Sequence, residues 1–297
     1  MKRFASLLII IAAVCWGVIG IFTRTLAEAG FSTFQVCAIR CILTGAGFSA
    51  FTAIRSPAAF RIDVRDLWMF LGTGVCSVVF FNVCYFTTIE WTTLSAAAIL
   101  LYTAPLFVVI MSAIFFREKI TPRKLAALLL ALCGCGFITG VFTGDAGMTP
   151  LGILSGLGAG FGYALYSIFG RAALKKYSSV TVTTYTFITA GICVLPFCRI
   201  GSLIHCAYTH PNTLLHILCL AAISTVIPYL LYTTGLQYTE AGKASVMASV
   251  EPVVASAVGI LLYREPLTFS ALLGTVLVLF SVILLNLSPA KKSHKES

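Results

Sequence analysis

The chain has 297 residues, of which 59% are hydrophobic and only 10% charged, and its net charge is +10. A mean hydropathy of +0.99 is far from the balance of a soluble globular domain. The basic residues stand in short clusters between apolar stretches of about 20 residues, so the charge belongs to the loops of a polytopic membrane protein and not to a nucleic-acid surface.

Ten spans are predicted, at 4–23, 33–54, 67–88, 94–116, 122–142, 151–172, 180–199, 213–235, 243–263 and 268–287. The start, Met1-Lys2-Arg3 with Ala27-Glu28-Ala29 further on, imitates a signal peptide and its cleavage site. The apolar run from Phe4 to Phe22 is longer than an ordinary signal core, and it reads as a mature helix. Thr121-Pro122 supplies an N-cap followed by proline at the first helical position, and Met148-Thr149-Pro150 does the same before the sixth span. The stretch from Arg199 to Asn212, with His205, His210 and Pro211, reads as the longest external loop. With the N-terminus inside, sixteen Lys and Arg fall on the inner face and three (Arg24, Arg199, Arg264) on the outer, with Arg40 left inside a span. That imbalance predicts cytoplasmic termini in a plasma or bacterial inner membrane. The eleven cysteines show no CxxC pair and no His/Cys spacing suited to a metal, so they read as small buried hydrophobes.

The stretch from Ala244 to Thr268 organises the rest, because it places Glu251-Pro252 side by side near the middle of an apolar span. A carboxylate at mid-bilayer depth costs about 2.5–3.5 kcal/mol on insertion scales and is expected to face protein or a water-filled cavity. Proline removes a backbone donor there, which predicts a polar, hinged midpoint with Pro105 and Pro252 as the hinges. The counterpart lies 147 residues upstream, from Ala97 to Thr121, where Pro105 aligns with Pro252 and Arg117-Glu118 with Arg264-Glu265. The same offset sets Trp16 on Tyr163, Phe22 on Phe169, Tyr85 on Tyr232 and Thr92 on Thr239. Each copy holds five spans, an odd number, so the second must enter the membrane from the opposite side. The expected fold is therefore all-α, with ten transmembrane helices forming two inverted five-helix repeats around a central cavity. The first repeat is 1–146, the second 147–290, and 291–297 is a basic cytoplasmic tail.

This layout, together with Trp16-Gly17, the pattern Pro105…Arg117-Glu118-Lys119-Ile120-Thr121 and the pattern Glu251-Pro252-Val253…Arg264-Glu265-Pro266-Leu267-Thr268, resembles the EamA family of the drug/metabolite transporter superfamily. The resemblance covers residues 4–287. It implies a basket of ten helices that exports a small metabolite, often an amino acid, or a drug-like compound.

Glu251 is the only acidic residue deep within a span; it could bind an amine or carry a proton, or else fix packing through hydrogen bonds. Its mate in the first copy is Ala104. Arg40 could pair with Glu251, meet a carboxylate on the cargo, or snorkel to the interface. Asn82 and Tyr229 share one register position and Tyr85 and Tyr232 another; Asn82 and Tyr85, like Tyr229 and Tyr232, are three residues apart on one helix face, which suits a cavity wall or an interfacial aromatic belt. Trp16, Tyr163 and Tyr166 lie in mid-span as core or as cavity lining, and Tyr102 and Ser249 lie beside the prolines. Arg117-Glu118 and Arg264-Glu265 could act as gates or as ordinary ion pairs at helix ends. The glycines at 152, 156, 158, 160 and 162 predict close helix packing.

The function expected is secondary transport of a small-molecule substrate across a lipid bilayer by alternating access, with protons as a candidate coupling ion. No cofactor, metal or nucleic acid is called for, and no GxxxxGK[ST] loop is present to bind ATP. A single chain contains both halves, so a monomer or a homodimer would serve. The alternative is an intramembrane enzyme acting on a lipid-linked substrate. It is disfavoured because His205, His210, His216 and His294 lie in or beside external segments or the tail and no carboxylate pair lies within a span.

Overall fold

The structure is a computed structural model that describes residues 4–92, 94–139, 149–198, 200–264 and 266–287. The repeat boundary at 146–147, Met148, Arg199, Glu265 and the basic segment 291–297 lie outside the described residues. Among the described residues the regular secondary structure is helical throughout, with no strand. Eight helical segments are long and apolar enough to cross a membrane: Ala5–Glu28, Phe34–Arg55, Val64–Trp91, Pro150–Ala173, Ser179–Phe197, Thr213–Tyr238, Ala241–Tyr263 and Phe269–Asn286. A shorter apolar helix covers Ala104–Phe116, and Pro122–Ile138 is a further helix of 17 residues. This is a multi-pass membrane protein. Leu7, Ile114, Leu154, Leu261, Phe269 and Ile283 stand exposed on its outer surface, as lipid-facing side chains do.

In chain order the α-helices are α1 (Ala5–Gly17), α2 (Ile19–Glu28), α3 (Thr33–Arg55), α4 (Leu67–Leu71), α5 (Phe80–Trp91), α6 (Leu94–Leu101), α7 (Ala104–Phe116) and α8 (Pro122–Ile138). They continue as α9 (Pro150–Ala173), α10 (Ser179–Val194), α11 (Ile200–Thr209), α12 (Thr213–Ala221), α13 (Ile227–Tyr238), α14 (Ala241–Ala248), α15 (Glu251–Tyr263) and α16 (Phe269–Asn286). Wider π-helical turns at Gly72–Val79 and Ala222–Val226 join α4 to α5 and α12 to α13. Polar caps start the helices where the chain turns. Ser32 and Gln35 form a reciprocal capping box on α3, and the hydroxyls of Thr121, Thr149, Ser178 and Thr268 accept backbone N–H groups of α8, α9, α10 and α16.

Three consecutive helices recur at a fixed offset. Adding 147 to the bounds of α5, α6 and α7 gives those of α13, α14 and α15. Arg117 and Arg264, at the same offset, are the two non-glycine residues with positive φ among those described, both at 55°. The neighbours repeat as well: α1 packs on α13 as α5 packs on α9, while α3 packs on α10 and α8 on α16. This set of contacts is unchanged when the halves are exchanged.

Three expectations are corrected. The proline-bearing spans are not single bent helices. Each is broken in two, and Pro105 and Pro252 fall in the first turn of the following segment, where a missing N–H breaks no helical bond. The Arg199–Asn212 stretch is not a loop throughout, since Ile200–Thr209 is helical. Leu203, Cys206 and Ala207 of that helix pack on the cluster of Leu26, Phe31, Val36 and Leu220, while Ile200, Ile204 and Tyr208 stay exposed. The first span continues beyond residue 23 to Glu28, after an interruption at Val18.

Candidate functional site

The main core cluster runs between the halves, and its aromatic part encloses two neighbouring clefts. Trp16 near the end of α1 is the centre: its ring lies 6.3 Å from that of Tyr163, 5.4 Å from Tyr229 and 5.4 Å from Tyr232. Tyr166 sits edge-on to Tyr229 at 5.1 Å, and Phe187 backs Tyr229 at 4.8 Å. Such edge-to-face contacts hold rings in fixed orientations. Two hydroxyls are tied off, with Tyr166 bonded to Thr233 at 2.6 Å and Tyr232 to Ser167 at 2.8 Å.

The first cleft is lined by Trp16, Ser77, Phe81, Tyr166, Tyr229 and Tyr232 among others. The second lies between the two broken helices and is lined by Tyr102, Pro105, Ser245, Ser249 and Glu251 among others. Tyr163 borders both. Each cleft therefore takes residues from both halves of the chain.

Glu251 is the first residue of α15, and it keeps part of its surface open. The positive end of a helix dipole favours a carboxylate in that place. Its one side-chain hydrogen bond is long, donated by the Tyr163 hydroxyl at 3.4 Å. The helix end is held by close packing. A Cβ on Gly17 would stand 2.5 Å from Val254 Cβ and 2.8 Å from the Glu251 carbonyl, so only glycine lets α1 approach the start of α15. On the other side a Cβ on Gly160 would meet Thr103 Oγ1 at 2.6 Å, which brings α9 against the break between α6 and α7.

Of the residues singled out in the sequence, Trp16, Tyr102, Tyr163, Tyr166, Tyr229, Tyr232, Ser249 and Glu251 come together at these clefts, beside Pro105 and Pro252. Asn82 and Tyr85 line neither one. The Asn82 amide is buried and donates to the Val78 carbonyl at 2.6 Å, and the Tyr85 ring packs on Phe81 at 5.9 Å. Arg40 makes no ion pair with Glu251; its Nε–H donates to Thr225 in the second π turn at 3.2 Å. Ser77, Val78 and Phe81 were not anticipated. The π turn at Gly72–Val79 carries Ser77 and Val78, and the extra residue it takes up shifts the register of the wall, as happens at many functional sites. No group of three or more His, Cys, Asp or Glu able to hold a metal occurs among the described residues.

One face of the molecule carries buried charge. Glu118, just beyond α7, accepts the backbone N–H groups of Ala241 and Gly242 at the start of α14 at 2.9 and 3.3 Å. The buried Lys124 ammonium lies 3.5 Å from Glu118 and 2.8 Å from Glu240. Asp66 is bridged by Lys176 at 3.0 Å and by the Tyr177 hydroxyl at 2.6 Å. Both clusters join the first half of the chain to the second.

Comparison with known proteins agrees with this architecture. An uncharacterized transporter of Archaeoglobus fulgidus is 29% identical over 95% of this chain and 96% of its own length. The uncharacterized inner membrane transporter YicL of Salmonella typhimurium is 26% identical over 98% of each. A solved crystal structure with 17% identity superposes with a TM-score of 0.79 over 96% of this chain and 97% of that one, which establishes the shared fold. The family model described as the EamA-like transporter family matches twice, at residues 3–140 and 150–287, copies whose limits again differ by 147. The chain is a member of the EamA-like transporter family.

Proposed function

We propose that the chain is a secondary transporter of the cell membrane that exports a small organic solute, amino acid-like or drug-like, by alternating access. In this reading ten helices form two inverted five-helix repeats, 1–146 and 147–290, with both termini in the cytoplasm. The observation that carries it is the joint construction of the clefts: both halves supply walls, and one partly open carboxylate, Glu251, lies at the junction. A site built between two like halves is exposed to one side or the other as they rock. The exchange of the α1–α13 and α5–α9 pairs, with α3 on α10 and α8 on α16, supports a two-fold relation between the halves, and an odd number of spans in each supports their inversion. Interrupted helices at mid-chain positions suit a binding site at membrane depth, where irregular backbone occurs beside cavities.

Glu251 is the coupling group in this scheme, taking up a proton in one orientation and releasing it in the other. Purified protein in vesicles tests it. Glu251→Gln abolishes transport driven by a proton gradient while solute counterflow persists at saturating solute; gradient-driven transport that survives the change removes Glu251 from the coupling step. Absence of flux for every solute in the unaltered protein overturns the transport reading itself.

A further inference from the structure

We propose that the clefts select a cargo with a positive charge and no carboxylate, a protonated amine or quaternary ammonium on an aromatic or compact apolar body. The proposal rests on the transport reading above and names its substrate class. Among the residues lining the two clefts, Glu251 is the only one that carries a charge. The nearest candidate to balance it from the protein, Arg40, lines neither cleft and makes no ion pair with Glu251; its bond is to Thr225. A carboxylate set among largely apolar walls and only partly open is stabilised by a counter-charge or a proton. Here its partners are the Tyr163 hydroxyl at 3.4 Å and the N-terminal end of α15, and among the described residues no ammonium or guanidinium forms an ion pair with it. A cation on the cargo would pair with it directly.

The surrounding walls suit such a group. Trp16, Tyr163, Tyr229 and Tyr232 meet at the first cleft, and Tyr163 reaches from it to Glu251. Indole and phenol faces attract ammonium groups through their quadrupoles, most strongly where water is excluded. The hydroxyls of Tyr166 and Tyr232 are already bonded to Thr233 and Ser167, so these two residues offer ring surface more than free donors. An acid or a zwitterion would bring its carboxylate into a space with no lining ammonium or guanidinium, close to a carboxylate of like sign. Cation and proton then compete for one oxygen pair: release of the cation on one side is accompanied by protonation of Glu251, and loss of that proton on the other side readies the site again.

The test uses the full chain in lipid nanodiscs and a set of ligands sharing one aromatic body: phenethylamine, benzyltrimethylammonium, phenethyl alcohol, 3-phenylpropionate and phenylalanine. At about pH 8 the amines are cations. Expected is binding of the two cations at least about tenfold tighter than of the neutral, acidic and zwitterionic members, with that preference lost in Glu251→Gln. Phenylalanine or phenylpropionate binding as tightly as phenethylamine overturns the proposal, as does failure of every member to bind or an unchanged cation affinity in Glu251→Gln. The charge series on the unaltered chain decides even if the variant does not fold. Vesicle flux separates the two readings: cation binding without flux keeps the site and sinks transport, whereas flux with no cation preference keeps transport and sinks the site.

Discussion

The carboxylate of Glu118 accepts the backbone N–H of Ala241 at 2.9 Å, so a residue that ends a helix in the first half of the chain caps the start of one in the second. The left-handed turn at Arg117 makes this possible, because it stops α7 and turns the following side chain toward α14. Glu118 also faces Lys124, a buried ammonium whose other partner, Glu240, is 54% exposed. Removing Glu118 leaves two helix N–H groups open and Lys124 short of a partner, whereas removing Glu240 leaves the Glu118 contacts intact. Glu118→Ala is expected to cost about 2–4 kcal/mol, and Glu240→Ala less than about 1 kcal/mol. Thermal midpoints of the detergent-solubilised variants check the order, and equal losses would contradict it.

Gly17 and Gly20 offer a paired test of packing beside the site. A methyl at position 17 collides with Val254 and the Glu251 carbonyl, while a methyl at position 20 meets nothing within 4 Å. Gly17→Ala is expected to destabilise by about 1–3 kcal/mol and to weaken ligand binding at Glu251. Gly20→Ala, inside α2, is expected to be neutral or to stabilise by up to about 1 kcal/mol. Unfolding of both variants in one detergent gives the comparison.

A pH effect follows from the cluster on Asp66. The carboxylate beside Lys176 raises the ammonium above its ordinary value of 10.5, and the hydrogen bond that Tyr177 donates to Asp66 raises the phenol above its ordinary 10.0. For both groups the protonated form is the one favoured by folding. Their contribution is therefore fully present below the unfolded values and is lost as pH rises through the folded ones. Stability should be flat from neutrality up to the unfolded values and decline above them. Lys176→Met combined with Tyr177→Phe should flatten that alkaline decline, and an unchanged alkaline limb would show that the cluster does not contribute.

Arg117 takes a φ of 55°, a region that side chains with a Cβ rarely adopt. Arg117→Gly is expected to stabilise by up to about 1 kcal/mol, since glycine is the usual residue at a left-handed helix end. A large loss of stability in this variant would show that the arginine side chain, and not the backbone turn, matters at this position.

Much of the helical layout was legible because apolar length and turn residues leave a direct trace. Thr121-Pro122 and Thr149-Pro150 mark helix starts, and the 147-residue register emerges from pairs such as Pro105 and Pro252. The aromatic group was legible in part, since Trp16, Tyr163, Tyr166, Tyr229 and Tyr232 carry polar atoms in apolar surroundings and attract notice. Phe81 and Val78 were not, because an apolar side chain on a cavity wall looks like any other in such a span. Ser77 escaped because the π turn changes which residues face inward, and no sequence period reports that. The burial of Lys124 was hidden too: its two carboxylate partners, Glu118 and Glu240, are distant in sequence from each other. Helix α11 was read as a loop because His205 within it and His210-Pro211 beyond it outweighed a short apolar stripe.

The broken helices match residue for residue, yet one opens on Glu251 and the other on Ala104. A machine with twin levers and an off-centre load responds unequally to an applied force. Electrical potential across a bilayer is such a force, worth about 2.3 kcal/mol for each elementary charge carried through roughly 100 mV. In the proposed cycle it would pull on one lever whenever that carboxylate is ionised and on neither when it is not, so voltage would act there through the state of a single proton.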